Sequence, residues 1–159
     1  MIYQRRNVLF SLLAASGLTW ASGAIGADCS VELKAGIPSN PMGYDLKQIE
    51  IPAKCNEFTI NLSNTNPMSM PKVAMGHNVM VGPEATWKKV AQASAASPQS
   101  DWAVKDPGNL GNTKMLGPGE KDSLTIKNLK KLRDAKTNLV FFCTFPGHYS
   151  VMNGKIIFK

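Results

Sequence analysis

Alternation is the clearest signal along the chain. In residues 57–63, Phe58, Ile60 and Leu62 fall on one side and Thr59, Asn61 and Ser63 on the other, the period of two of a half-buried strand. Residues 121–126 repeat it after the turn signal Gly117-Pro118-Gly119, with Leu124 and Ile126 on one face. Residues 29–33 alternate more weakly. Residues 72–81 and 137–143 read as extended runs, and residues 154–159 set Ile156 and Phe158 against Lys155, Ile157 and Lys159. Between Gly82 and Gly111 the period changes. Residues 84–96 follow Pro83, are rich in Ala, Lys and Gln, and carry Trp87, Val90 and Ala91 at helical spacing. One short helix is expected there, inside a flap closed by the Asp106-Pro-Gly turn. Seven or eight strands with this single insertion predict an all-β fold, a Greek-key β-sandwich.

The first 26 residues have another character. Arg5 and Arg6 precede a largely apolar run over residues 8–20, and small residues follow, the three regions of a secretory signal peptide. The run is too short and interrupted to span a bilayer. Cleavage after Gly26 or Ala27 is expected, leaving residues 27–159 as one mature domain. Gln4-Arg5-Arg6-Asn7-Val8-Leu9 partly matches a twin-arginine signal, so the export route stays open. Removing Arg5 and Arg6 from 18 basic residues leaves 16 against 11 acidic ones, a formal +5. Lys127, Lys130, Lys131, Arg133 and Lys136 supply part of the excess and read as a solvated lysine-rich turn. No aromatic residues interleave with them, which argues against a nucleic-acid surface.

Chemistry concentrates near the C-terminus. Cys143, His148 and Met152 lie in Cys143-Thr-Phe-Pro-Gly-His148-Tyr-Ser-Val-Met152. Cys143 alone, after an apolar run, is better read as an inert core thiol, and Met152 alone as core filling. Together, a thiolate, an imidazole and a thioether on one loop, turned by Pro146 and Gly147, suit copper, for which two His, one Cys and a weak axial Met form an electron-transfer site. The chain has only two histidines, so the missing imidazole must be His77, in Met75-Gly76-His77-Asn78. Gly76 lets a backbone carbonyl come close to the metal. Zinc sites do not use thioethers. With Cys143 assigned to the metal, Cys29 and Cys55 remain as a disulfide pair in an exported protein; rival pairings would consume Cys143. Met68, Met70 and Met75 fit core, copper entry or an exposed apolar docking patch around the His148 edge. Asn61-Leu-Ser63 matches a glycosylation sequon but lies mid-strand.

The two ligand segments, Asn61-Leu-Ser63, Gly119-Glu-Lys-Asp-Ser123 and the Cys29/Cys55 pair resemble the azurins, a family of small bacterial blue-copper cupredoxins. The spacing Cys-x4-His-x3-Met separates azurins from relatives with shorter loops, and the likeness is weakest in the flap. The resemblance implies a cupredoxin-like sandwich of eight strands and periplasmic electron transfer. His77, Cys143 and His148 would be strong copper ligands, with the Met152 sulfur and Gly76 carbonyl as long axial contacts. Asn78 and Phe145 match positions whose backbone amides donate to the thiolate. Two departures stand out. Val79 occupies the position of a usual buried Trp, and Asn64 and Asn112 replace the family's non-ligand histidines.

The function expected is a one-electron shuttle using one copper ion, with His148 as the electron exit and no enzymatic activity of its own. The expected partners are redox proteins such as c-type cytochromes or periplasmic reductases, the expected state is a monomer, and the expected location is the periplasm. A periplasmic copper carrier or chaperone using the same ligands, with handover through Met68 and Met70, is the alternative. A copper oxidase or nitrite reductase would need a second copper site, and no third histidine exists to build one.

Overall fold

A computed structural model describes residues 29–159; the predicted leader lies outside them. Two sheets face each other. The first is ordered β2-β1-β4-β7, from β1 (Ser30–Ile37), β2 (Asn40–Tyr44), β4 (Phe58–Asn64) and β7 (Lys121–Ile126). The second is ordered β3-β9-β8-β5-β6, from β3 (Gln48–Ile51), β5 (Met80–Pro83), β6 (Gly111–Asn112), β8 (Leu139–Phe142) and β9 (Asn153–Phe158). β1 pairs with β4, and β3 with β9, in parallel; the remaining pairings are antiparallel. This is the expected cupredoxin-like sandwich, with nine strands rather than eight among the described residues.

One core fills the space between the sheets. Leu33, Phe58, Ile60, Leu62 and Ile126 point in from the first, and Ile49, Ile51, Val81 and Phe141 from the second. β4 alternates buried and half-buried residues along its whole length, because its outer face meets water. β8 behaves differently: Leu139, Val140, Phe141 and Phe142 are all buried. The helix predicted in the flap explains it. α2 (Trp87–Ala95) lays Val90 and Ala91 against Met80, Val140 and Phe142 on the outer side of the second sheet. Packed on both faces, β8 delivers Cys143 from a rigid support.

Two expectations need correction. Residues 72–81 are not one extended run: Lys72–Met75 form a single helical turn, α1, entered through Pro71 and left at Gly76. It buries no residue, so periodicity gives it no signature. Likewise the lysine-rich stretch is no mere turn. It forms α3 (Leu129–Asp134), seated by buried Leu129 and by Arg133, which donates to the Pro52 and Cys55 carbonyls. Cys29 and Cys55 are joined. No helix of the described residues is long and apolar enough to cross a membrane.

Candidate metal centre

The loop after β8 is closed by its own backbone. Cys143 N–H donates to the Met152 carbonyl at 3.0 Å, Met152 N–H to His148 at 2.7 Å, and His148 N–H to Phe145 at 3.0 Å. Gly147 turns with φ +79°, a left-handed conformation open to glycine. The 3-10 turn His148–Ser150 follows. Cys143 and Met152 are therefore neighbours across a strand end, and the ring of His148 folds back over the thiol, its Nδ1 3.8 Å from Cys143 Sγ.

His77 arrives from the other side of the loop. It forms an isolated antiparallel bridge with Leu116: His77 N–H donates to the Leu116 carbonyl at 3.0 Å, and Leu116 N–H returns to His77 at 2.8 Å. The Asn64 side chain donates to that same Leu116 carbonyl at 2.9 Å, fixing the bridge to β4. Gly36, at φ +64° beside the irregular pairing of β1 with β2, leaves room for the ring. A Cβ there would stand 3.1 Å from His77 Nε2 and 2.7 Å from Asn66 Cβ. Gly76 is required by close packing too, since a Cβ would meet the Lys72 carbonyl at 2.5 Å.

The ligand atoms of His77, Cys143 and His148 all lie within 4.8 Å of one another, and the three residues are buried. Neither ring nitrogen of His77 makes a well-formed hydrogen bond; the Pro41 carbonyl lies near the ring but outside good bonding geometry. A buried imidazole with nothing to bond is costly. It is the mark of a site built for a further atom. Met152 is fully buried, and its backbone is bonded to those of Cys143 and His148.

Burial sets the charge state. It pulls His77 down to about 4, helped by the neighbouring His148 and opposed by the Pro41 carbonyl. Burial likewise pulls His148 to about 4. It pushes the Cys143 thiol up to about 11, although hydrogen bonding from the Asn78, Phe145 and Thr144 backbone works in the opposite direction. At neutral pH the metal-free cluster is thus uncharged: two neutral imidazoles and a thiol. A bound cation reverses that balance at the sulfur and releases its proton.

Around the cluster runs a hydrogen-bonded shell. Asn78 Nδ2 donates to Thr144 Oγ1 at 2.7 Å, and Thr144 N–H donates to Asn78 Oδ1 at 2.9 Å. Thr144 Oγ1 donates to the Trp102 carbonyl, and the Trp102 ring packs on Phe145 with centroids 5.2 Å apart. Phe145 in turn packs on His148 at 4.7 Å. Nothing in the sequence marks Thr144, Trp102 or Tyr44 for this shell. Outside the shell, the exposed large apolar residues are Met42, Met68, Val73 and Val151. They lie in β2, in the segment after β4, in α1 and in the 143–152 loop.

This donor set can be compared with known proteins. Residues 31–159 match the model of copper binding proteins of the plastocyanin/azurin family. The chain belongs to this family. It is 34% identical to the azurin of Pseudomonas aeruginosa over 155 residues, covering 96% of this chain and all of that protein. To the azurin of Bordetella pertussis it is 37% identical, covering 83% of this chain and 85% of that one. Among solved structures, azurin Az-iso2 of Methylomonas sp. strain J superposes with a TM-score of 0.72 and 31% identity, covering 84% and 99% of the two chains. The plastocyanin/azurin proteins are electron carriers rather than enzymes, and the buried His77–Cys143–His148 cluster is arranged for a type 1 site of that family.

Proposed function

We propose that the mature chain, residues 27–159, is a periplasmic type 1 copper protein that carries single electrons between redox partners. The observation behind this reading is the buried convergence of His77, Cys143 and His148, with neither nitrogen of His77 in a well-formed hydrogen bond. The donor set fits copper: one thiol and two imidazoles, soft and borderline, with a thioether at hand. When bound, copper supplies a one-electron Cu(II)/Cu(I) couple.

The chain's own residues do the rest. His77, Cys143 and His148 would hold the ion, with the Met152 sulfur and the Gly76 carbonyl as further, weaker donors. The backbone amides of Asn78 and Phe145 donate to the Cys143 sulfur, withdrawing charge and favouring the reduced state. Packing of β8 on both faces and the closed 143–152 loop keep the ligands from moving, so little reorganisation accompanies transfer. His148 is the exit toward partners such as c-type cytochromes or periplasmic reductases, which the protein meets as a monomer. Residues 1–26 direct export and are removed.

Retention is favoured over handover, because the three side chains are buried rather than presented at the surface. The test is copper release from the loaded protein into a mild chelator, alongside voltammetry. Slow release with a reversible one-electron wave supports the shuttle. Rapid release with no stable wave favours the carrier or chaperone.

A further inference from the structure

Tyr44 closes β2, in the sheet opposite the metal loop. It is buried, its ring packs on Phe141 with centroids 5.5 Å apart, and its hydroxyl donates to the Asn78 carbonyl. Asn78 is fully buried, and every polar atom it owns is engaged. Its amide faces the Cys143 sulfur. Both side-chain atoms are tied to Thr144. The carbonyl takes the phenol. The contacts to Cys143 and Thr144 belong to the metal loop itself and move with it. The phenol alone reaches across the sandwich from the other sheet.

We propose that Tyr44 is a positioning residue for the copper centre: its hydroxyl pins Asn78 from the opposite sheet and thereby holds the Asn78 amide against the Cys143 sulfur. This rests on the copper reading above, although its first consequence does not need copper. Without the hydroxyl, a buried carbonyl loses its partner, and the peptide relaxes to find another. The amide then drifts from the sulfur, and a less hydrogen-bonded thiolate donates more strongly and stabilises the oxidised metal. The hydroxyl does not act as a redox relay. Oxidising a phenol requires a base for its proton, and a backbone carbonyl is none.

The test compares Tyr44→Phe with Ile126→Val, a core change in β7, at a strand end away from the metal loop. In the metal-free protein, hydrogen exchange at the Asn78 amide is expected to quicken about tenfold or more in Tyr44→Phe and to stay unchanged in Ile126→Val. In the copper-loaded protein, Tyr44→Phe is expected to lower the reduction potential and move the sulfur-to-copper absorption to longer wavelength, while Ile126→Val moves neither. If Tyr44→Phe changes only thermal stability, as Ile126→Val does, or changes nothing, the proposal is wrong. Should Tyr44→Phe not fold, 3-fluorotyrosine at position 44 keeps the ring and strengthens the donor. Slower Asn78 exchange and a raised potential are then expected, and unchanged values overturn the proposal. A protein that stays colourless with copper would sink the copper reading, yet the exchange experiment would still decide the role of Tyr44 in holding Asn78.

Discussion

Acid weakens the metal-free protein through its two histidines, well above the range where exposed carboxylates titrate. In the unfolded chain the His77 ring titrates near 6.5, and in the folded protein burial lowers it to about 4. Between those values the unfolded chain binds the extra proton, so stability is complete above the unfolded pKa and is lost as pH falls. For this one ring the loss amounts to about 2 kcal/mol at pH 5 and about 3 kcal/mol at pH 4. His148 shifts in the same direction, but the rings are only 5.0 Å apart. The second proton therefore meets the charge of the first, and the two losses do not simply add. Urea unfolding of the metal-free mature protein at a series of pH values between about 7.5 and 4 measures the slope. A His77→Gln variant should flatten it, and bound copper should suppress it. Equal unfolding midpoints at pH 7.5 and 5 in the metal-free protein would refute the reasoning, since a ring buried without a partner cannot be charged at no cost.

Other consequences follow from the same structure. Replacing Cys29 and Cys55 by Ala opens a crosslink spanning 26 residues and should cost about 3.5 kcal/mol in unfolding experiments, with the copper spectrum unchanged. His148→Gly should open a coordination position and slow electron exchange with partners; unchanged stopped-flow rates would contradict its role as the exit. The chain has two histidines, both in the cluster, so no third imidazole couples to the metal. The reduction potential should be flat between about pH 6 and 8, whereas a slope of about 59 mV per pH unit would reveal a coupled proton.

The parts of the fold legible in the sequence are those where one face meets water. β4 and β7 alternate because their outer sides are wet, and both ran within a residue of their predicted limits. β2 and β3 carry no such signal. β2 contains Pro41 and Gly43 and turns inward only at its end, while β3 is four residues long. α3 hides because Lys130 and Lys131 are exposed, only Leu129 is fully buried, and the contacts of Arg133 with Pro52 and Cys55 are distant in sequence. In the centre, the Cys143–Met152 loop is local and announces itself. His77 stands out only because the chain has two histidines, since nothing in its surroundings predicts the bridge to Leu116. Asn78 and Phe145 are legible only through the family resemblance. Tyr44 and Thr144 could not be found that way: their bonds to Asn78 span 34 and 66 residues, and a hydrogen bond across a sandwich leaves no periodic trace. Val79, where the family usually carries Trp, is fully buried in the main core.

Everything functional depends on one thiolate and two imidazoles gripping the same ion. Visible absorption of the mature protein titrated with cupric ion tests this most directly. The account predicts an intense sulfur-to-copper band that saturates at one copper per chain and disappears in Cys143→Ala. A protein that stays colourless, or a Cys143→Ala variant that keeps the band, would contradict it.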